Sequence, residues 1–358
     1  MSSADNMIAV KPRQLADMLT VAIPSGIPTV IVGEPGLGKT EIEKQVFNTL
    51  LNTVWQQTGA DNLILHPVSD EPSDYKGLPF MTADGADFSI YGNMRLLTRA
   101  TRPLLVFFDD IGQSLNAVQA SLMQVWQGKQ INNNKISPFV YFLGATNDRG
   151  AGMAVSGLLE PLKGRATMMY LQPDLLDWSL WGAANGIDHR IISFLNSNKQ
   201  KPELFSDPRS STNDMSAKAS PRNWQRVSVH MQLPYRADVR TAVYAGCVGK
   251  DTAIRFCAWL DILDKVIPAA VVWNNPTGCT IPSESSQLWA LTCTLANDVS
   301  PRTVKPFCQF LLRLIDQRNE YVALATKLMS NREPTLLENA DWIKYGATSA
   351  IGKLMLTA

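Results

Sequence analysis

The chain contains the sequence Gly33-Glu34-Pro35-Gly36-Leu37-Gly38-Lys39-Thr40, which has the form G-x-x-x-x-G-K-[ST] of a phosphate-binding P-loop. The β-branched run Thr29-Val30-Ile31-Val32 precedes it and is typical of a buried strand. After the motif, Ile42, Val46 and Leu50 recur at every fourth position, which is the spacing of one helix face. A P-loop between a strand and a helix predicts that the chain binds the phosphates of a nucleotide.

The residue types of the motif explain this chemistry. Glycines let the backbone approach a phosphate chain closely, and the amide N–H groups and the helix N-terminus then point at the anion. We expect Lys39 to reach the β- and γ-phosphates of ATP and the Thr40 hydroxyl to bind Mg²⁺. We also place Glu41, the next residue, among the residues that contact the nucleotide.

The composition describes an ordinary globular protein. Of 358 residues, 45% are hydrophobic and 18% charged, which is enough for two or three domains with sizeable cores. The formal net charge is +1, so no global field attracts nucleic acid or membrane. An odd number of cysteines, 5, with no C-x-x-C pair favours a reduced, cytoplasmic compartment. We expect no membrane span, because no apolar run approaches about 18 residues.

A second motif, Leu104-Leu105-Val106-Phe107-Phe108-Asp109-Asp110, is an apolar run that ends in two acids. Such a run predicts a buried parallel strand, whose carboxyl end is where open α/β sheets bind ligands. We expect Asp109 to hold Mg²⁺ and Asp110 to orient the attacking water as a base. The alternative is a strand end that is merely capped by solvated acids.

Two further polar residues adjoin predicted strands. Asn147 ends the run that begins at Phe139 and could contact the γ-phosphate or the water, although Asn is also a common turn former. Arg165 precedes the short strand Thr167 to Leu171 and could act as an arginine finger on a neighbouring subunit. The alternative for Arg165 is a surface salt bridge.

The chain between these motifs and after them has a different character. Residues 66–100 look like an insertion, in which the segments around Phe80 and Phe88 flank a turn and could pair as a hairpin that touches a substrate. Residues 1–172 then form the nucleotide-binding domain, residues 173–221 connecting helices and a mobile loop that starts near 196, and residues 222–358 a helical lid. Within that last part, we expect one helix over 307–328 and loop or extended structure at 271–273.

One further helix start carries a candidate site residue. Ser220 and Pro221 suit the N-cap and first position of a helix, and Arg222 in its first turn could lie over the phosphates.

The order of these parts resembles the AAA+ ATPases of the MoxR type, over about residues 11–330. The matching phrases include Asp74-Tyr75-Lys76-Gly77-Leu78-Pro79, Asp110-Ile111-Gly112-Gln113-Ser114, Ser220-Pro221-Arg222-Asn223-Trp224 and Ala245-Gly246-Cys247-Val248-Gly249. The resemblance implies an α/β P-loop NTPase (AAA+) core with a parallel sheet, followed by a mainly α-helical lid domain.

The resemblance also assigns roles to residues. Lys39 and Thr40 would belong to the Walker A motif, and Asp109 and Asp110 to the Walker B motif. Asn147 would be sensor 1, Arg165 the arginine finger and Arg222 sensor 2. Proteins of this family form rings, usually hexamers, that bind ATP and Mg²⁺ at subunit interfaces. They remodel protein partners, often ones with a von Willebrand factor A domain.

The sequence departs from the family at two points. The second Walker-B acid is usually Glu, and Asp110 is shorter by one C–C bond, ~1.5 Å, which predicts slow hydrolysis. Arg165 is followed by Ala166 instead of an aromatic residue, so Arg149 is a rival finger.

Two other functions remain open. The first is a nucleic-acid motor or loader, because Arg95, Arg99 and Arg102 lie near Tyr91. The second is an ATP-gated oligomeric scaffold with little hydrolysis.

Overall fold

The computed structural model describes residues 7–83, 85–148, 157–207, 216–263 and 265–357. The chain divides into two compact units, the first extending to Pro173 and the second beginning at Asp174. Hydrophobic side chains of the first unit form two clusters, and those of the second unit form one.

In the first unit, strands and helices alternate. In chain order they are β1 (Ala9–Val10), α1 (Pro12–Ala22), β2 (Thr29–Gly33), α2 (Lys39–Asn52), β3 (Asp61–Leu65), α3 (Pro72–Lys76), β4 (Leu78–Thr82), β5 (Gly85–Ser89), α4 (Gly92–Arg99), β6 (Leu104–Phe108), α5 (Asn116–Gly128), β7 (Gln130–Ile131), β8 (Asn134–Lys135), β9 (Val140–Asn147), α6 (Glu160–Lys163) and β10 (Thr167–Leu171).

Six of these strands form one parallel sheet in the order β1-β10-β2-β9-β6-β3. Successive residues of a strand point to opposite faces, and both faces are covered. Val30 and Val106 belong to one hydrophobic cluster, and Ile31 and Leu105 to the other. Burial on both faces explains why the strands read as continuous apolar runs instead of alternating ones.

The sheet brings three of the predicted motifs to one edge. In register, Gly33 at the end of β2 lies opposite Asn147 at the end of β9, and Phe108 at the end of β6 lies opposite Gly144. The P-loop, the two acids and Asn147 therefore all leave the sheet at its carboxyl edge. The predicted fold class, an α/β P-loop core with a parallel sheet followed by a mainly helical part, is confirmed.

The first unit contains two short antiparallel hairpins outside the six-stranded sheet. In the first, β4 pairs with β5 and places Pro79 opposite Phe88, as the sequence predicted. In the second, β7 pairs with β8. The strand before the insertion, β3, ends at Leu65, because Pro67 has no N–H for a sheet and Ser69 N closes a turn on His66 O at 2.9 Å.

The described part of the second unit is helical. Its helices are α7 (Leu175–Ala184), α8 (His189–Ser197), α9 (Pro221–Met231), α10 (Ala237–Val248), α11 (Lys250–Leu263), α12 (Ala269–Asn274), α13 (Ser285–Asp298), α14 (Val304–Leu312), α15 (Asn319–Arg332) and α16 (Ala350–Thr357), with 3-10 turns at Pro202–Leu204 and Pro334–Glu338 and a π-helix at Trp342–Ala347.

Three details of this unit differ from the sequence-based predictions. The segment 271–273 lies inside α12, and the helix predicted over 307–328 is two helices, α14 and α15, because Asp316 between them has a left-handed φ of 74°. The predicted loop from 196 onward includes the end of α8 and a 3-10 turn that Pro202 begins. The predicted start of α9 is confirmed, since the Ser220 side chain accepts a hydrogen bond from Asn223 N.

No helix in the described residues has the length and apolarity that crossing a membrane requires.

Candidate nucleotide-binding site

The P-loop connects β2 to α2 through two glycines with left-handed backbones. Gly36 has a φ of 82° and Gly38, which caps α2, a φ of 88°. Gly33 is closely packed, since a Cβ there would lie 3.1 Å from Leu171 O. Residues other than glycine rarely adopt these backbone conformations. The glycines therefore let the loop curl around the N-terminus of α2, where free N–H groups attract phosphate.

Lys39 begins α2 and is 6% exposed. Its Nζ donates to the backbone oxygens of Gly33 and Glu34, both at 3.0 Å, and to Asn147 Oδ1 at 2.7 Å. The ammonium group is thus held inside the loop at the end of the sheet. A cation fixed there can stabilise the negative charge of bound phosphates.

Asn147 links Lys39 to Asp110. Its Nδ2 donates to Asp110 Oδ1 at 3.2 Å, while its Oδ1 accepts from the lysine. This orientation of the amide follows from its partners, because an ammonium can only donate and a carboxylate accepts. Asn147 therefore connects the predicted phosphate-binding cation to the predicted base.

Asp110 has a left-handed backbone, with φ 57° and ψ 32°, directly before the 3-10 turn Ile111–Gln113. Aspartate tolerates this region better than most residues. Gln113 Nε2 donates to Asp110 Oδ1 at 3.0 Å, and Gln113 Oε1 accepts from Thr146 Oγ1 at 3.3 Å. Two amides from different elements thus hold the same carboxylate oxygen.

Thr40 and Asp109 form the predicted metal-binding pair. Thr40 Oγ1 donates to Asp109 Oδ2 at 2.8 Å, so a hydroxyl and a carboxylate meet beside the P-loop. Mg²⁺ prefers oxygen ligands and keeps several waters, and a site with two protein oxygens fits this preference. Within the described residues, no cluster of three or more His, Cys, Asp or Glu side chains could hold a metal ion.

The other predicted P-loop residues occupy distinct positions. Pro35 is exposed and Glu34 half-buried, whereas Leu37 is buried in the core that lies against α1 and α2. Glu41 is half-buried in the first turn of α2. Leu37 therefore anchors the loop to the core, while Glu34 and Pro35 lie on the surface side of the loop.

Glu43 is a buried carboxyl group that the sequence did not single out. It lies on the inner side of α2 with 0% exposure, and its Oε1 accepts from Asn62 Nδ2 at 2.8 Å. Its Oε2 is buried without a hydrogen-bond partner. Burial raises the pKa of Glu43 to about 7, partly offset by the Asn62 hydrogen bond.

Two of the three predicted arginines fall in the described residues. Arg165 is exposed just before β10, and its Nη1 donates to Pro161 O at 2.7 Å. Arg222 is exposed in the first turn of α9, in the second unit. Arg149 lies outside the described residues. The assignments of arginine finger and sensor 2 stay predictions.

Gln113 was also missed by the sequence reasoning. Gln113 follows Asp110 by three residues and ends the 3-10 turn, and this spacing could have indicated a contact between the two side chains. The turn is also pressed against β9, because a Cβ on Gly112 would lie 2.1 Å from Thr146 Oγ1. That close approach, which cannot be read from the sequence, brings Gln113 onto the acid.

The sheet order, the P-loop and the contacts of Lys39 and Thr40 define a protein with an α/β P-loop fold. Comparison with protein-family models found no match, and comparison with curated proteins found no similar sequence.

Solved structures of RuvB from Thermotoga maritima are similar to this chain at low identity. A point mutant of RuvB is 17% identical, covers 94% of this chain and 86% of its own, and has a TM-score of 0.39. The structure described as the RuvB Holliday junction branch migration motor is 16% identical, covers 94% and 87%, and has a TM-score of 0.36. The assignment of the fold therefore rests on the sheet and the P-loop of this chain.

Proposed function

We propose that this chain is a ring-forming AAA+ ATPase of the MoxR type, which hydrolyses ATP with Mg²⁺ at subunit interfaces to remodel or assemble a protein partner. The observation that carries the proposal is the continuous line of contacts from Lys39 through Asn147 to Asp110, beside the Thr40–Asp109 pair. A phosphate-binding cation, a metal-binding pair and a base are the parts that phosphoryl transfer to water requires.

The residues of the site divide the reaction between them. The N-terminus of α2 and Lys39 bind the β- and γ-phosphates, and Thr40 with Asp109 would hold Mg²⁺, which neutralises charge on the phosphates. Asp110 accepts a proton from the attacking water and Asn147 orients that water. Since Asn147 contacts both Lys39 and Asp110, a change at the γ-phosphate reaches the base directly.

An arginine from a neighbouring subunit would complete the site. Arg165 is exposed just before β10, the strand that pairs with β2, and its Nη1 donates to the backbone oxygen of Pro161. A guanidinium placed this way is accessible to another subunit. We propose Arg165 as the finger and Arg222 as sensor 2, in a ring that is hexameric as in the family.

The partner would bind to the β4–β5 hairpin. All its described residues are exposed, including Phe80 at 45% and Met81 at 79%. Exposed apolar side chains of this size are typical of surfaces that bind protein. A protein with a von Willebrand factor A domain is the partner that the family resemblance favours.

The decisive experiment is a subunit-mixing ATPase assay. Lys39→Ala and Arg165→Ala are purified separately and then mixed in equal amounts. If the finger acts between subunits, each variant alone is inactive, while mixed rings contain some interfaces with an intact Lys39 and an intact Arg165 and regain part of the activity. Lys163→Ala is the matched control, since Lys163 is a nearby cation that pairs with Glu160.

Other results would change the proposal. If the mixture stays inactive although Arg165→Ala abolishes activity, Arg165 acts within its own subunit. If the wild type binds ATP but turns over negligibly and Asp110→Glu gains activity, the chain is an ATP-gated scaffold.

A further inference from the structure

Charge is distributed unevenly along the first unit. Between Phe88 and Asn147 the sequence has only two acids, Asp109 and Asp110, and both lie at the carboxyl edge of the sheet, beside the P-loop. The same segment carries five cations, which are Arg95, Arg99, Arg102, Lys129 and Lys135. An excess of cations on one segment of a chain whose net charge is +1 indicates a local field.

Hydrogen bonds gather most of these cations on one surface. Ser137 N donates to Leu97 O at 2.9 Å, and Ser137 Oγ donates to Ala100 O at 2.6 Å. These bonds fasten the end of the β7–β8 hairpin to the end of α4. Lys135 precedes Ser137 by two residues and Arg99 directly precedes Ala100, so both cations border the same contact.

Two further bonds extend this surface. Asn132 Nδ2, at the tip of the β7–β8 hairpin, donates to Lys76 O at 2.5 Å. Ile136 N donates to Lys129 O at 2.7 Å, which places Lys129 beside the base of the same hairpin. We call the exposed side chains around these contacts the basic surface, which comprises Lys76, Arg95, Arg99, Lys129 and Lys135.

The cations of the basic surface lack acidic partners. Among the described residues, none of the five takes part in an ion pair, whereas Arg102 is bound to Asp61. Asp74, the acid nearest to Lys76 in the chain, accepts hydrogen bonds from Glu71 N and Tyr91 OH. Clustered like charges without counterions repel one another, so binding of a polyanion would relieve the repulsion.

The neighbouring side chains suit unpaired bases. The hairpin tip Asn132-Asn133-Asn134 offers amide donors and acceptors for phosphates and base edges. Phe88 is 41% exposed on β5, two residues before Ile90, whose oxygen accepts from Arg95 Nη2 at 3.1 Å. An exposed ring beside cations can stack a base, which a paired base in a duplex does not permit.

We propose that the basic surface binds single-stranded nucleic acid, with the cations on the phosphates and Phe88 stacked on a base. This inference goes beyond the proposed function, which names a protein partner. It does not depend on ATP hydrolysis, because the surface is separate from the residues that contact nucleotide. The two proposals share Phe88, which lies on the β4–β5 hairpin, but not the five cations, so a variant of the cations tests this inference separately from the proposed function.

The test is fluorescence anisotropy of a labelled 20-nucleotide single-stranded DNA, titrated with the full chain at several salt concentrations. We compare the wild type with the double variant Lys129→Asn and Lys135→Gln. Asn is chosen because Lys129 has a left-handed φ of 43°, which asparagine tolerates. The loss of two phosphate contacts should weaken binding roughly 20-fold at 0.1 M salt and reduce the salt slope by about 1.4.

Controls separate the surface from general charge and from misfolding. The double variant Lys201→Ala and Lys250→Ala removes two exposed cations of the second unit and should bind like the wild type. Phe88→Ala should weaken binding about tenfold without changing the salt slope. Unaltered ATP binding by each variant shows that the fold is intact.

Three results would overturn the inference. The first is no binding by the wild type at 50 mM salt. The second is an equal loss from the control variant, which would indicate non-specific attraction. The third is a change of preferred ligand: either a duplex binds more tightly than the single strand, or an acidic protein binds and the single strand does not.

Discussion

The carboxyl edge of the sheet and the β4–β5 hairpin belong to the same unit but are built in opposite ways. At the edge, Lys39, Asn147, Asp110 and Gln113 bond to one another over a buried core. On the hairpin, every described residue is exposed, and its apolar side chains are not packed inside the unit.

This contrast separates chemistry from recognition. Catalysis needs polar groups held in place before the substrate arrives, which buried strands and mutual hydrogen bonds provide. Recognition of a partner needs surface that is unsatisfied until the partner covers it. Changes at the edge should therefore alter ATP turnover, and changes on the hairpin should alter partner binding alone.

The largest effect should come from Lys39→Ala. Lys39 Nζ donates to two backbone oxygens of the P-loop and to Asn147 at the end of β9, so it supplies the cation that we expect to bind the phosphates. We expect kcat/KM for ATP to fall roughly 10²- to 10³-fold, as when one preorganised donor is removed. Steady-state hydrolysis and equilibrium binding of a fluorescent ATP analogue measure the two parts of this loss.

Lys44→Ala is the matched control, because Lys44 is an exposed lysine on the same helix. A loss of similar size in that variant would mean that general charge, not the position of Lys39, governs binding.

A smaller effect should follow from Gln113→Leu. Its amide is one of two that hold Asp110 Oδ1, so its loss should leave the base less well oriented. We expect kcat to fall about tenfold with KM for ATP unchanged, since a hydrogen bond to a charged group is worth about 1.5–3 kcal/mol. Gln113→Glu should lower kcat further, because a second carboxylate would repel the first.

Gln124→Leu is the control for this variant, since Gln124 is a half-buried glutamine on α5 whose Oε1 accepts a long hydrogen bond, 3.4 Å, from Asn132 N. If Gln113→Leu raises KM and leaves kcat alone, the glutamine shapes the nucleotide pocket and does not position the base.

Glu43 should show its effect in stability as a function of pH. Its pKa in the folded protein is raised to about 7, so as the pH rises above 4.5, the ordinary pKa of a glutamate, the unfolded chain loses its proton first. The wild type should lose stability between these two pH values, by at most about 3 kcal/mol. Glu43→Gln should remove this loss, leaving the variant more stable than the wild type at pH 8 and similar to it at pH 4.5.

Thermal unfolding at pH 4.5, 6, 7 and 8 measures the difference between variant and wild type. Glu203→Gln changes an exposed acid of the second unit and should give no such trend. A difference that is the same at every pH would mean that Glu43 is ionised in the folded protein throughout.

Sequence patterns predicted the edge well because each part of it is local. The P-loop, the apolar run before Asp109 and the strand that ends at Asn147 are contiguous stretches, and parallel pairing then brings their ends together. Gln113 was missed because its contact depends on the left-handed backbone of Asp110. Glu43 was missed because a charged residue on a helix is normally expected to face water.

The smallest effect on turnover, and the sharpest test of the contrast, should come from Met81→Asp on the hairpin. Met81 lies opposite Ala86, on the same face as Pro79 and Phe88, and is 79% exposed. A charge there disturbs no packing, so thermal stability and basal ATP hydrolysis should stay within about 0.5 kcal/mol and twofold of the wild type. Because the charge would lie in the middle of an apolar contact, partner-stimulated hydrolysis should be lost.

Asp87→Asn, a change of charge on the opposite face, should keep that stimulation. If Met81→Asp instead abolishes basal turnover, the hairpin takes part in assembling the nucleotide site, and chemistry and recognition are not separate in this protein.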